Sequence, residues 1–252
     1  MEKGHVKSET ASGITTITFY HPRGNSLPGV LLGELAGAFE AASKSKSTRV
    51  IVLQSQGEKA FCAGASFDEL ISIKDEATGT AFFSGFARVI NAMRKCPQLI
   101  IGRVHQKAVG GGVGLASAVD YCFATHHASI KLSELAVGIG PFVVGPAVER
   151  KIGLSAMSEL AINATEWRDA EWARQKGLYN HVFGSEEEMD ISIHQLALRL
   201  AGSNPEAMSS LKNIFWRGTE NWDQLLAGRA TISGKLVLSD FTVRAIESFK
   251  KK

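Results

Sequence analysis

Lys107-Ala108-Val109-Gly110-Gly111-Gly112-Val113-Gly114-Leu115-Ala116 lies between the apolar run Leu99-Ile100-Ile101-Gly102-Arg103-Val104 and an alanine-rich stretch ending at Asp120. The order reads as a strand, a tight glycine turn and a helix. Glycine lets a backbone approach a ligand closely, and a helix N-terminus offers unpaired N–H groups at the positive end of its dipole. Such a turn can hold an anion, or an oxygen that becomes anionic during a reaction. Glycine clusters in strand-to-helix turns also serve purely structural ends, so the run alone does not specify chemistry.

A second segment has the same form. Gly57-Glu58-Lys59-Ala60-Phe61-Cys62-Ala63-Gly64-Ala65-Ser66-Phe67-Asp68-Glu69-Leu70 follows the buried-type strand Val50-Ile51-Val52-Leu53 and leads into a helix. Two such turns, each tipped with small residues, can supply two backbone N–H donors to one oxygen. In order and separation the pair resembles the enoyl-CoA hydratase/isomerase (crotonase) superfamily. The resemblance continues at Ile14-Thr15-Thr16-Ile17-Thr18-Phe19 with Asn25-Ser26-Leu27, at Ala170-Glu171-Trp172-Ala173 with Gly177-Leu178, and at the tail Ala245–Lys252. Tyr179 stands where that pattern usually has Val.

The resemblance implies an α/β fold, a crotonase-like spiral of ββα units over residues 1–195. A C-terminal helical oligomerisation region over 196–252 would follow. It implies an oxyanion hole made by the N–H groups of Ala65 and Gly111, with a thioester bound against Ala63, Gly64, Ser66, Gly110, Gly114, Pro141 and Phe142. Arg23, with Lys250, Lys251 and Lys252, would meet phosphates of coenzyme A. Coenzyme A or an acyl carrier would come as part of the substrate, with no separate cofactor. A homotrimer or homohexamer is implied.

Bulk properties agree with a soluble-type globular chain. The 252 residues are 44% hydrophobic and 21% charged, with a formal charge of +3. That length can bury a large core. The only basic run is the terminal lysines, which argues against nucleic acid as main partner. No stretch of about 18 apolar residues suggests a membrane span. The polar start, Met1–Glu9, lacks a signal-type core, and cytoplasmic location is the expectation. Cys62, Cys96 and Cys122 are odd in number and widely spaced, which fits a reducing compartment and no disulfide framework. His126-His127 has no third ligand at metal spacing, so no metal site is expected. His105 precedes the glycine turn closely enough to be checked near the site.

The first two-thirds alternate strands (14–19, 49–54, 99–104, 121–125) with helices, one beginning near Pro28 and another over 78–95. After residue 153 the pattern is helical, over 154–163, 169–176, 187–202, 205–217, 221–238 and 240–250. The helix over 187–202 has a wide apolar surface suited to a core or an interface.

Hydratases of the resembled family commonly use two glutamates, one three positions after the middle glycine and one twenty further on. Here those positions hold Gly114 and Glu134. Glu134, inside Leu132-Ser133-Glu134-Leu135, is the expected general acid/base, although a solvated surface charge is the commoner fate of a glutamate. Phe142, Val143 and Val144 would give a bulky apolar pocket wall or simply core packing. The expected activity is hydration or dehydration of a short enoyl thioester, branched ones such as 3-methylglutaconyl-CoA included. Double-bond isomerisation is the alternative. A thioester- or RNA-binding scaffold with little activity is a third.

Overall fold

A computed structural model describes residues 4–250. Its repeating unit is a long strand, a two-residue strand and a helix, run four times. The first turn is β1′s partner strand and its followers: after the hairpin arm β1 (His5–Ala11) come β2 (Ile14–Tyr20), β3 (Ser26–Leu27) and α1 (Gly29–Lys44). The second is β4 (Val50–Ser55), β5 (Gly64–Ala65), then the short α2 (Phe67–Leu70) and α3 (Glu76–Lys95). The third is β6 (Leu99–Val104), β7 (Ala108–Val109) and α4 (Gly111–Ala118). The fourth is β8 (Tyr121–Thr125), β9 (Ile130–Lys131), a 3₁₀ turn at Leu135–Val137, and α5 (Gly145–Ile162). This is the spiral of ββα units.

The long strands form one sheet in the order β1-β2-β4-β6-β8-β10, where β10 is His181–Phe183. Only β1 and β2 are antiparallel; β2 to β10 run parallel, with Ile14 opposite Val50 and Val50 opposite Leu99. Both faces are covered, which is why β4 reads as an unbroken apolar run. Ile51 and Leu53 join the main core with α1 and α3, while Val50 and Val52 meet Met189, Ile193 and Ala197 on the other side. Those three belong to α7 (Glu186–Ala201). Arg103 of β6 pins that helix through ion pairs to Glu186 and Asp190. The apolar face of 187–202 is thus largely core, and residues 195 and 196 fall within one continuous helix.

Two strands lie outside the expected pattern. β1, His-Val-Lys-Ser-Glu-Thr-Ala, is a polar edge strand, mostly exposed. β10 is three residues long and lies within the region expected to be helical. The other helices are α6 (Ala170–Gln175), α8 (Pro205–Phe215), α9 (Trp222–Leu236) and α10 (Asp240–Lys250). α8 is fastened to the sheet by a buried group: Lys212 Nζ lies 3.0 Å from Asp120 Oδ2, and Trp216 Nε1 donates to Asp120 Oδ1 at 2.9 Å. α9 lies along α3, where Gly79 and Gly234 allow backbone contact: a Cβ on Gly79 would lie 2.8 Å from Gly234 O. Tyr179 is fully buried and donates to the Ala128 carbonyl at 3.0 Å, so its hydroxyl is satisfied in the core.

Candidate active site

The short strands bring the two glycine-tipped turns together. β3 pairs with β5, and β7 with β9, each in parallel. A bridge between Cys62 and Ala108 joins the two small sheets, with Val109 N–H donating to Cys62 O at 2.9 Å and Phe61 N–H to Lys107 O at 3.0 Å. The approach is close enough to need glycine. A Cβ on Gly64, whose φ is +91°, would lie 3.1 Å from Val109 O and 3.6 Å from Gly111 N. At Gly112 a Cβ would lie 2.3 Å from Cys62 O.

Two amides at these turns, those of Gly111 and Ala65, belong to residues that border the same space. Gly111 is the first residue of α4, so helix geometry leaves its N–H without an intrahelical acceptor. Ser66 N–H donates to Leu27 O at 2.9 Å. Ala65 N–H has no acceptor among the turn and loop hydrogen bonds of the described residues. Ala65 and Gly111 line one cavity of about 340 Å³.

Glu134 lies on the wall of the same cavity. Gly110 N–H donates to Lys131 O at 2.9 Å, fixing β9 to the glycine turn, and the chain then enters the 3₁₀ turn. The Glu134 carbonyl accepts from Val137 N–H at 3.2 Å and Ile139 N–H at 3.1 Å. Its carboxyl end folds over Gly110, where a Cβ would lie 2.9 Å from Oε1. Gly110 has φ +51°, so its conformation and its lack of a side chain both make room for the carboxylate. The residue has some exposed surface, but Oε2 is enclosed and has no hydrogen-bond partner. Burial pushes this carboxyl up to about 7, because desolvation disfavours the charged form. A proton can therefore be both taken and given near neutral pH.

The remaining wall is apolar apart from Ser26, Ser133 and Ser233. Phe82, Phe83 and Phe86 come from α3, Phe67 and Leu70 from α2, and Val137, Ile139, Pro141, Phe142, Val143 and Val144 from the segment after Glu134. Among the described residues Glu134 is the one ionisable side chain on the lining.

Most of the expected contact residues meet here: Ala63, Gly64, Gly110, Pro141 and Phe142 all line the cavity. Gly114 does not. It is buried one turn into α4, and a Cβ there would lie 2.6 Å from Val144 Cγ1. The expectation that Gly114 contacts the thioester is corrected: Val144 packs against it and is itself on the cavity lining. Ser66 is off the lining too; it caps α2, accepting from Glu69 N–H at 3.3 Å. Arg23 is exposed and paired with Asp68, away from the lining. Lys251 and Lys252 lie outside the described residues. His105 is also off the lining; its Nε2 meets the Gly57 carbonyl at 2.7 Å, and burial lowers its proton affinity. The Cys62 thiol is wholly buried and pushed up to about 12 by desolvation, so it is no nucleophile.

Sequence reasoning did not find the aromatic wall of α3. Phe82 and Phe86 are spaced as one helix face, which signals burial but not the cavity they border.

Comparison with known proteins agrees with this geometry. The model of the family "Enoyl-CoA hydratase/isomerase" matches residues 9–246. The chain belongs to the enoyl-CoA hydratase/isomerase family. It is accordingly an enzyme of the crotonase type. A peroxisomal Delta(3,5)-Delta(2,4)-dienoyl-CoA isomerase of Arabidopsis thaliana is 26% identical, over 96% of this chain and 92% of that protein. A mitochondrial methylglutaconyl-CoA hydratase of Mus musculus is 31% identical, over 86% of this chain and 69% of that one. Among solved structures, an enoyl-CoA hydratase from Bacillus halodurans superposes with a TM-score of 0.88 at 20% identity, covering 96% of this chain and 99% of that chain. The crotonase fold is therefore that of the whole described chain.

Proposed function

We propose that the protein adds water to, or removes it from, the C2–C3 bond of a short enoyl thioester, a branched one such as 3-methylglutaconyl-CoA being the best candidate. The enclosed carboxyl of Glu134, facing two backbone donors across an apolar cavity, carries this reading. Ala65 and Gly111 N–H groups would hold the thioester oxygen, drawing electrons from the double bond and stabilising the enolate. The dipole of α4 adds to the Gly111 donor. Glu134 would take a proton from water as its oxygen bonds C3, then deliver that proton to C2. The 31% identity to the murine methylglutaconyl-CoA hydratase supports the substrate.

Isomerisation is the second reading, favoured by Glu134 being the one ionisable group on the lining among the described residues. One carboxylate suffices to move a proton between C2 and C4. Absorbance of the conjugated enoyl thioester separates the two. Purified protein should bleach crotonyl-CoA or 3-methylglutaconyl-CoA as water adds. Growth of the absorbance from a 3-enoyl-CoA, with no bleaching of either conjugated thioester, refutes the hydratase reading in favour of the isomerase.

The carrier is taken to be coenzyme A. A homotrimer or homohexamer belongs to the same proposal, supported by exposed Leu211, Ile214 and Phe215 on α8; light scattering tests it. Three buried cysteines without a disulfide support a cytoplasmic setting.

A further inference from the structure

Three serines line the cavity: Ser26, Ser133 and Ser233. Two hydroxyls are already committed. Ser26 Oγ donates to Ala65 O at 3.0 Å, and Ser233 Oγ donates to Arg229 O at 3.3 Å. The Ser133 hydroxyl has no hydrogen bond among the described residues, and Ser133 precedes Glu134, whose Oε2 also has no partner, on the same lining. Every other side chain on the lining is apolar or is glycine. Ser133 and Glu134 are thus the two lining residues whose side-chain polar atoms are uncommitted among the described residues.

Addition of water poses a geometric demand that one carboxylate does not meet alone. The water must give one hydrogen to the base and aim a lone pair at C3, so its second hydrogen needs an acceptor. In an apolar cavity an unanchored water is disfavoured, since it needs two or more polar partners. Among the described residues the lining holds no second carboxylate, and position 114 is a glycine with Val144 packed against it.

We propose that Ser133 is the water-orienting residue, and that its hydroxyl accepts the second hydrogen of the water while Glu134 takes the first. This inference rests on the hydratase reading. In the forward step the O–H bond to Glu134 breaks and the O–C3 bond forms. The π electrons of C2=C3 move into the enolate at the thioester oxygen. The enolate then takes the proton from Glu134 at C2. The sum is one H and one OH added, with the carboxylate restored and Ser133 unchanged. In dehydration the same hydroxyl holds the departing OH.

The test separates the water from the proton. Exchange of the C2 hydrogens of butyryl-CoA in D₂O needs Glu134 and the backbone donors, but no bound water. Ser133→Ala should lower kcat for hydration of crotonyl-CoA or 3-methylglutaconyl-CoA at least tenfold, while C2 exchange stays within about twofold of wild type. Ser133→Thr, which keeps a hydroxyl, should recover most of the hydration. Equal losses in both assays would overturn the proposal, reducing Ser133 to a support for Glu134. Hydration unchanged in Ser133→Ala would overturn it as well. A wild-type protein that exchanges C2 hydrogens yet hydrates neither thioester refutes the hydratase reading itself, and this role with it.

Discussion

Replacing Glu134 by Gln should make the protein a much poorer catalyst and a more stable one, with the gain in stability growing as pH rises. The folded carboxyl titrates at about 7 instead of 4.5, because the cavity wall strips it of water. Below about pH 4.5 both folded and unfolded chains hold this proton, and the group costs nothing. Between 4.5 and 7 the unfolded chain releases it while the folded one keeps it, so stability falls as pH rises. Above 7 the loss levels off. At about 1.4 kcal/mol per pH unit the gap is worth about 3 kcal/mol, an order-of-magnitude figure. Gln has nearly the same shape and no charge to desolvate. Chemical denaturation of both proteins from pH 5 to pH 8 checks this: the stability difference should be small at pH 5 and approach about 3 kcal/mol by pH 8. The same substitution should cut turnover by about 10²–10⁴. In wild type kcat/KM should fall about tenfold per pH unit below about 7, since either direction starts from the carboxylate. A stability difference that does not change with pH would refute the claim that burial sets this titration. Turnover near wild type would refute the role of the side chain.

Three more outcomes follow from close contacts and burial. Gly111→Ala would place a Cβ 2.2 Å from Phe86 Cζ, so it should lower kcat/KM by about 10²–10³ through a displaced donor, with partial recovery in Gly111→Ala/Phe86→Ala; steady-state kinetics decide, and unchanged kcat/KM counts against the donor. Gly114→Ala should cost about 1–3 kcal/mol, because Val144 already fills its side, and Gly114→Glu should cost more; a melting temperature unchanged in both would show that the space is open after all. Cys62 should resist iodoacetamide at pH 8 in the folded protein and react on unfolding, given its buried thiol at about 12; rapid labelling of the native chain, read by mass spectrometry, would contradict that.

Much of the site was legible because backbone geometry leaves a residue signature. The two glycine-tipped turns, the spiral order and Glu134 are visible as residue types at fixed separations. What stayed hidden depends on contacts between distant segments. Gly114 reads as a substrate contact, yet Val144, thirty residues on, packs against it. Ser66 looked like a substrate contact, yet its hydroxyl serves a helix cap. β10 is too short, and β1 too polar, to carry a strand pattern of its own; each exists because a neighbouring strand offers it a ladder. The face of α7 could have been an interface, and the apolar residues of β4, β6 and β8 opposite it settle the matter.

The bridge between Cys62 and Ala108 divides the labour of this molecule in a way that bears on its malleability. The proposed donors are amides, next to main-chain hydrogen bonds that join the two small sheets. Exchanging a side chain at Phe82 or Phe142 would reshape the proposed acyl compartment without altering those main-chain hydrogen bonds. Acyl preference can thus drift, or be redesigned, while the electrophile stays equally activated. A search for variants with new substrates has its best raw material in those apolar positions, and its fixed points in the glycines.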